Sequence, residues 1–338
     1  MDWTAFFPPN TPVTALPSWS EPRLLVPARS MAEAWQRSHL FPAFSWPARV
    51  RKNLLRLAAA TGARARKRTP ANEWMLGSFL ADVWPEAQSA TVLLGSPSPT
   101  QKTTVEITGA DGRPLGFVKI AEHEPAKERL RQERDVLAQL PEGTGPKLIK
   151  YGLLARSEAL VTSALPGRPL PPDLPPAHTL IGYVRSLERS ESYPVEAHPW
   201  IRTLPAGRGP VAKSIEALSG REWAVTVQHG DLVWNTFDAA GRLSACDWEY
   251  GTLDGFPGQD LANYVLQVGM ERNGWSPERV RPIGVRFLQS AGYSEREAHA
   301  LLDLAAFDVY LKFEADGYTP DRPEQQWRAF FWHMSSGT

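Results

Sequence analysis

The stretch Val227-Gln-His-Gly-Asp-Leu-Val-Trp-Asn-Thr-Phe237 places two polar residues where the flanking pattern is apolar. Asp231 and Asn235 stand four residues apart, with Leu-Val-Trp between them. Buried polar groups need partners, so a pair of this kind either satisfies a turn or carries out chemistry. The residues that follow along the chain favour chemistry.

A predicted β-hairpin would place a second carboxylate near Asp231 and Asn235. The turn signal at 238–242 joins two short apolar runs, which is typical of a hairpin. That hairpin would bring Asp247 back toward Asp231 and Asn235. Carboxylate and amide oxygens suit Mg²⁺, which usually takes one or two protein carboxylates together with phosphate oxygens. A carboxylate that does not bind the metal could accept a proton from an alcohol.

Residues suited to binding phosphate occur upstream. Lys119 lies in a strand-like run, where its neighbours should point to the opposite face. The helix that follows offers Glu128 and Glu133, and Glu133, in the middle of that helix, is the better candidate for an ion pair with the lysine. A turn between two strands begins at Gly95 and Ser96, and backbone amides in such a turn can approach phosphates.

These motifs resemble those of the aminoglycoside phosphotransferase and choline kinase group, which are small-molecule kinases with a protein-kinase-like fold. The resemblance rests on His-Gly-Asp-x-x-x-Asn at 229–235 and Asp-Trp-Glu at 247–249. The strand of Lys119 and the Gln-Asp-Leu-Ala run at 259–262 are also similar to that group. The similarity extends over roughly residues 88–316.

The resemblance implies ATP and Mg²⁺ as cofactors and a role for each matching residue. Asp231 would accept the proton of the acceptor hydroxyl. Asn235 and Asp247 would hold Mg²⁺, and Lys119, held by Glu133, would neutralise the α- and β-phosphates. The other nucleotide contacts implied are Gly95, Ser96, Ser163, Ala164 and Leu165, the last three through backbone groups that meet the adenine.

The sequence departs from protein kinases at two places. The loop at 95–104 contains one glycine and two prolines, Pro97 and Pro99, where protein kinases have a glycine-rich run. The Asp-Trp-Glu at 247–249 replaces Asp-Phe-Gly, as is usual in the small-molecule group. The phosphate loop is therefore expected to be less flexible.

Some polar residues near these motifs are expected to be structural. His229 can hydrogen-bond the backbone near Asp247 and fix the loop, whereas the role of Glu249 stays open between metal contact and support. Acidic residues on the late helices are expected to lie on a solvated surface rather than in an acceptor pocket. They are Asp303, Asp308, Glu314 and Asp316.

The order of predicted elements indicates an α+β protein with a two-lobed protein-kinase-like fold. An N-terminal extension, irregular apart from helices, is predicted for residues 1–85. A nucleotide-binding lobe on an antiparallel β-sheet is predicted for 86–165. A mainly helical catalytic and acceptor-binding lobe is predicted for 166–338, after a proline-dense connector.

Composition narrows the function classes further. The 37 basic and 37 acidic residues balance, which argues against nucleic acid as a partner. A single cysteine, Cys246, excludes an intramolecular disulfide and favours a cytoplasmic location. Apolar runs are too short for a transmembrane segment.

Residues 49–68 are expected to form a basic helix. It is either solvated and packed on the core, or it serves as a surface for an anionic membrane or a phosphorylated substrate.

Two functions remain open from the sequence. The first is a kinase whose acceptor is a hydroxyl of a small molecule: a sugar or glycan intermediate, an amino alcohol, or an aminoglycoside-like compound. The second is a nucleotide-binding pseudokinase or scaffold that docks a partner through residues 1–85. The filled positions at Lys119, Asp231 and Asp247 favour the active kinase.

Overall fold

The computed structural model describes residues 2–40, 46–62, 65–71, 73–95, 97–174 and 176–334. The chain divides into two compact units. Unit 1 comprises the chain up to Arg134 together with residues 147–164, and unit 2 comprises residues 135–146 together with the chain from Leu165 onward.

Unit 1 is built on an eight-stranded antiparallel sheet with the strand order β3-β1-β2-β4-β5-β6-β8-β7. The runs that form it are rich in β-branched and aliphatic residues, which suit a pleated and buried surface. The strands are β1 (Pro12–Pro17), β2 (Pro22–Pro27), β3 (Arg66–Arg68), β4 (Ser89–Leu94), β5 (Thr103–Thr108), β6 (Pro114–Ala121), β7 (Leu148–Leu154) and β8 (Ser157–Ser163).

Helices cover both faces of this sheet. They are α1 (Met31–Arg37), α2 (Trp46–Ala60), α3 (Met75–Leu80) and α4 (Ala126–Leu137). Leu76 and Leu80 of α3 pack with one set of buried strand residues, and Leu55 and Ala59 of α2 pack with another. Unit 1 therefore has two apolar clusters, which contain different residues of the same strands.

The N-terminal extension, predicted to be irregular apart from helices, contains strands as well. Residues 12–27 form β1 and β2, whose side chains alternate between the two clusters, with Val13 and Ala15 in one and Leu16 in the other. Because both faces are buried, the apolar run is continuous and hides the period of two. The prolines stand at the strand ends, where they do not interrupt the ladder. Residues 1–85 thus share a sheet with residues 86–165.

The predicted basic helix is also shorter than expected. Helix α2 ends at Ala60, and Gly62 follows with a φ of +76°, the left-handed conformation common after helix ends. Residues 66–68 then form β3, which pairs antiparallel with β1. The basic segment 49–68 is therefore part helix and part edge strand.

Unit 2 is mainly helical and carries two small sheets. Their strand orders are β10-β11-β14 and β13-β12-β9. The strands are β9 (Arg168–Pro169), β10 (Glu188–Pro194), β11 (Glu222–Gln228), β12 (Thr236–Ala239), β13 (Arg242–Ala245) and β14 (Thr252–Gly255). The helices are α5 (His178–Arg185), α6 (Pro199–Thr203), α7 (Val211–Leu218), α8 (Gln259–Gln267), α9 (Pro277–Ser290), α10 (Glu295–Ala315) and α11 (Pro323–His333).

Most sequence expectations for unit 2 are confirmed. The hairpin β12–β13 forms with Thr236 opposite Ala245. Helix α8 continues into a π-helical turn at Val268–Arg272. Helix α5 ends at Arg185, and β10 begins three residues later at Glu188.

The α+β class predicted from the sequence is confirmed, with an antiparallel sheet in unit 1 and helices predominating in unit 2. Within the described part of the chain, no helix combines the length and the apolar character needed to cross a membrane.

Gly116 in β6 provides a test of the sheet packing. A Cβ there would lie 2.1 Å from the Thr162 carbonyl oxygen and 2.6 Å from the Trp84 ring. We expect Gly116→Ala to lower the free energy of unfolding by about 1–3 kcal/mol, because neither the backbone nor the packed ring can move away freely. Urea unfolding followed by circular dichroism measures this.

The matched control is Gly182→Ala, since a Cβ at Gly182 in α5 would have no neighbour within 4 Å. That substitution is expected to be neutral or stabilising by about 0.5–1 kcal/mol, because alanine is a better helix former than glycine. Equal effects of the two substitutions would contradict the packing described around Gly116.

Candidate active site

The second residue of the loop at 229–235 is a glycine that other residues could replace only with strain. Gly230 follows β11 and has a φ of +81°, and a Cβ there would lie 2.5 Å from the carbonyl oxygen of Tyr250. A side chain would therefore meet both an unfavourable backbone conformation and a backbone atom. Glycine lets the chain turn sharply immediately before Asp231.

Asp260 holds this turn in place. Its Oδ2 accepts a hydrogen bond from the His229 N–H at 2.7 Å, and its Oδ1 accepts one from the Gly230 N–H at 2.8 Å. The Asn263 side chain donates to the Gly230 carbonyl at 2.9 Å. Burial raises the pKa of Asp260, while the two N–H bonds oppose that rise. The loop is thus fixed by the first turns of α8.

His229 is structural, as predicted. Its ring is buried, its Nδ1 accepts the Asp231 N–H at 3.1 Å, and its Nε2 donates to the Cys246 carbonyl at 2.7 Å. This arrangement uses the neutral ring with its hydrogen on Nε2. The ring also packs against Trp248 with centroids 4.5 Å apart. The histidine therefore joins the loop to the residues around Asp247.

Asp231 is a partly buried carboxylate. Its pKa is raised to about 6, mainly by burial and also by the nearby charges of Glu271 and Asp247. A hydrogen bond from Gln267 and the charge of Arg328 oppose the rise. The group is ionised at neutral pH, yet it is more basic than an aspartate in water. Such a carboxylate is suited to accept a proton from an alcohol.

Asn235 and Asp247 are brought together by the hairpin. The Cys246 N–H donates to the Asn235 carbonyl at 2.9 Å, and the Asn235 amide nitrogen donates to the Asp231 carbonyl at 2.9 Å. The amide group is thereby oriented, and its oxygen is the atom that can coordinate a cation. Asp247 has a φ of +66°, a conformation uncommon outside glycine that often marks functional positions.

The chemistry of this pair fits magnesium. One carboxylate and one amide oxygen are hard ligands, and Mg²⁺ commonly combines such a small set with phosphate oxygens and water. Among the described residues, no group of three or more His, Cys, Asp or Glu is arranged to hold a metal ion. A site made by Asn235 and Asp247 would have only two protein ligands, one of them a carboxylate.

In unit 1, Lys119 is paired with the glutamate that the sequence favoured. Its Nζ lies 2.5 Å from Glu133 Oε1, and both residues are buried, at 8% and 1% exposure. Helix α4 also contacts the sheet through Arg131, which bonds Glu158, and through Arg134, whose guanidinium lies 4.7 Å from the Tyr151 ring centroid. Because α4 is anchored at several points, Glu133 is held firmly against β6.

The loop that begins at Gly95 closes on itself. The Gly95 N–H donates to the Lys102 carbonyl at 3.0 Å, and the Gln101 side chain donates to the Gly95 carbonyl at 2.9 Å. The Gly95 amide is thus already used within the turn. Ser96, also predicted to contact phosphate, lies outside the described residues. Phosphate binding by this loop stays a prediction.

The predicted adenine-binding segment begins at the end of β8. The Ser163 N–H donates to the Lys147 carbonyl at 3.0 Å, and the Ala164 N–H donates to the Leu115 carbonyl at 3.3 Å. These two amides are engaged within unit 1, and Leu165 begins the longer part of unit 2. The role of Ser163, Ala164 and Leu165 in binding adenine also stays a prediction.

Three residues near Asp231 were missed from the sequence. Gln267 and Glu271 are four residues apart on consecutive helical turns, so helical periodicity from the Asp-Leu-Ala run was the signal that could have found them. Arg328 comes from α11 and is buried, with a pKa that burial lowers to about 10. Its guanidinium lies 4.5 Å from the Phe313 ring centroid. Because Arg328 is nearly 100 residues from Asp231 in sequence, no local pattern connects them.

The prediction that the acidic residues of the late helices lie on a solvated surface is wrong for three of the four. Asp303, Asp308 and Asp316 are buried, and each has a partner. Their partners are Arg281 at 2.8 Å, Lys312 at 2.7 Å and the Tyr250 hydroxyl at 2.6 Å, respectively. The fourth, Glu314, pairs with Arg208 near the surface at 3.1 Å. The bonds formed on burial compensate for the desolvation of these carboxylates.

The Lys119–Glu133 pair yields a stability prediction. We expect Lys119→Met to destabilise the protein by about 3–5 kcal/mol, because it leaves the Glu133 carboxylate buried without its cation. We expect the double variant Lys119→Met/Glu133→Leu to be close to the wild type or more stable, since no uncompensated charge remains. Urea unfolding measures both variants, and a double variant as unstable as the single one would contradict this account.

No family model matches the chain, and no curated protein sequence matches it. Its matches among solved structures include the following two. A protein provisionally named fructosamine-3-kinase, from Haemophilus somnus 129PT, is 13% identical with a TM-score of 0.46, and the match covers 77% of this chain and 96% of that chain. An ethanolamine kinase from Plasmodium vivax is 10% identical with a TM-score of 0.42, and the match covers 76% of this chain and 85% of that chain.

Proposed function

We propose that this chain is an ATP-dependent phosphotransferase that transfers the γ-phosphate to a hydroxyl of a small molecule. The observation that carries the proposal is the environment of Asp231. Its side chain is partly buried, has a pKa raised to about 6, and lies on a loop whose backbone is fixed beside Asn235 and Asp247. A proton acceptor beside hard oxygen ligands is the combination that phosphoryl transfer to an alcohol requires.

In the proposed reaction Asp231 accepts the proton of the acceptor hydroxyl as the oxygen attacks the γ-phosphorus, while the bond from that phosphorus to the β-phosphate oxygen breaks and ADP leaves. A pKa of about 6 leaves the carboxylate ionised at neutral pH and makes it a stronger base than a solvated aspartate. Gln267, which donates a hydrogen bond to this carboxylate, orients it. Glycine at position 230 and His229 behind it keep the loop from moving away.

The remaining residues are proposed to neutralise the charge of the phosphates and to position them. Asn235 and Asp247 would hold Mg²⁺, and the metal would neutralise charge on the phosphate oxygens. Lys119 neutralises the α- and β-phosphates, and Glu133 keeps its ammonium group in place. A buried ion pair adds little to stability on its own, so its presence on β6 and α4 is better explained by such a role.

The acceptor is proposed to be a small hydroxyl compound of limited charge. The side chains whose charges act on Asp231 have both signs, Glu271 being acidic and Arg328 basic, and Gln267 is neutral. A sugar or glycan intermediate or an amino alcohol matches such mixed surroundings better than a polycationic aminoglycoside does.

The role of Asp231 is tested by substitution. We expect Asp231→Asn to lower kcat for ADP formation by about 10²–10⁴-fold, because the amide cannot accept the hydroxyl proton. ATP affinity, measured by thermal shift with Mg²⁺, should not change. The matched control is Asp254→Asn, at an exposed aspartate of β14, which should retain full turnover. Unchanged turnover in Asp231→Asn would rule out the proposed base.

The same assay separates the kinase from the nonenzymatic alternative. A broad library of hydroxyl acceptors is screened for Mg²⁺-dependent ADP formation by the wild-type protein. Tight ATP binding with no ADP formation for any acceptor would favour a pseudokinase or scaffold.

The raised pKa of Asp231 predicts the pH dependence. Because the ionised form is the base, kcat/KM should fall as the pH drops through about 6. The charge of Glu271 raises this pKa, so Glu271→Gln should move the acidic limb of the profile to lower pH. A profile measured with saturating Mg²⁺ and ATP tests this, and an acidic limb that does not move in Glu271→Gln would contradict the electrostatic account.

A further inference from the structure

Charge is distributed very unevenly along this neutral chain. From Ala34 to Asn72 the sequence contains nine Lys and Arg residues and no Asp or Glu, although the whole chain has 37 of each sign. This segment includes α2 and β3. A local excess of this size indicates an anionic partner for this part of the surface.

One side of helix α2 is buried, and two of its side chains hydrogen-bond to α1 and to the residues that follow it. Leu55 and Ala59 are 7% and 1% exposed and pack on β1 and β2. Arg56 donates to the Trp35 carbonyl at 3.0 Å, and Lys52 donates to the His39 carbonyl. These contacts fix the rotation of the helix about its axis, so its remaining side is directed away from the sheet.

That outward side is apolar. Val50, Leu54 and Leu57 follow the i, i+4, i+7 spacing of a helical stripe and are 42%, 63% and 54% exposed. On the neighbouring α1, Met31 and Trp35 are 61% and 40% exposed. Five of the seven large apolar side chains that are exposed in the described part of the chain thus belong to these two adjacent helices. Such a concentration is typical of an interaction surface.

Basic side chains flank this stripe. Arg51 is exposed on α2 itself, beside Val50. At the end of the helix, the guanidinium of Arg66 reaches back to Gly62, where a Cβ would lie 3.5 Å from its Nη2. All three residues of β3, Arg66 to Arg68, are exposed. Apolar and cationic groups therefore share one region of unit 1.

We propose that this α2 surface, the stripe Val50–Leu54–Leu57 with Arg51 and Arg66, docks on an anionic lipid membrane. A helix with leucines on its outer side and arginines around them binds at the boundary between headgroups and acyl chains. The leucines enter that boundary and the arginines contact lipid phosphates. Each arginine near an anionic leaflet adds about fivefold to membrane partitioning.

The other anionic partners fit this surface less well. A nucleic acid would contact the arginines but would leave the leucine stripe in water. A second copy of the chain would cover the stripe but would bring two basic surfaces together, which is unfavourable. A membrane with anionic lipids satisfies both the stripe and the charge.

The test uses the full-length protein and sedimentation with lipid vesicles. Binding to vesicles of phosphatidylcholine mixed with phosphatidylglycerol is expected, with weak binding to phosphatidylcholine alone. Leu54→Glu/Leu57→Glu should weaken binding by about tenfold or more, since the stripe then repels the headgroups. Arg51→Glu/Arg66→Glu should weaken it at low salt and less at high salt. A matched control is Leu153→Glu, at a leucine of β7 that is 71% exposed, and it should bind as the wild type does.

Several results would overturn the proposal. They are absence of wild-type binding to the mixed vesicles, equal binding to neutral vesicles, and an equal loss in Leu153→Glu. A dimer that is detected by light scattering, disappears in Leu54→Glu/Leu57→Glu and does not bind vesicles would assign the surface to a second copy instead. Unfolding curves establish that the variants fold. Because vesicle binding is measured without ATP or acceptor, its outcome is independent of the proposed kinase activity.

Discussion

The candidate catalytic loop depends on the two hydrogen bonds that Asp260 accepts from the backbone of His229 and Gly230. A buried carboxylate without donors would be strongly unfavourable, and buried backbone N–H groups without acceptors would be as well. The Asp260 carboxylate and the two backbone N–H groups therefore each require the other as a hydrogen-bond partner. Asp260 lies in the first turn of α8, where the helix dipole also favours a negative charge. The loop is in this way attached to a helix terminus and cannot shift independently.

The raised pKa of Asp231 is a consequence of the fixed backbone of the loop. Once the loop is held, the partly buried carboxylate lies near Asp247 and Glu271, and burial together with these charges raises its pKa from 3.8 to about 6. Above that pH the ionised group costs the folded state about 3 kcal/mol relative to a solvated aspartate, and the cost disappears below pH 3.8 as both states become protonated. A cost of this size is a large part of the stability of a typical domain, which supports a functional role for Asp231.

The sequence predicted those parts of the site whose geometry is local. The hairpin β12–β13 is set by one turn, and the strand and helix around Lys119 and Glu133 are 14 residues apart, so short-range patterns determined both. The structural role of His229 was predicted because its ring can hydrogen-bond the backbone near Asp247 and fix the loop. Arg328 and the clamp by Asp260 depend on contacts between distant elements, and no periodicity reveals such contacts.

The N-terminal residues were misjudged for a related reason, and the difference changes how their function can be studied. Strands β1, β2 and β3 make up three of the eight strands of the sheet, and α2 and α3 supply residues to the two apolar clusters. Removing residues 1–85 would expose the edge of β4, remove one apolar cluster and open the other, so a truncated chain would report on folding rather than on docking. Any partner of this region must contact the outer side of elements that also build the sheet, and only surface substitutions separate the two roles. The outer side of α2 meets that condition, because its stripe can be changed while Leu55 and Ala59 keep the helix on the sheet.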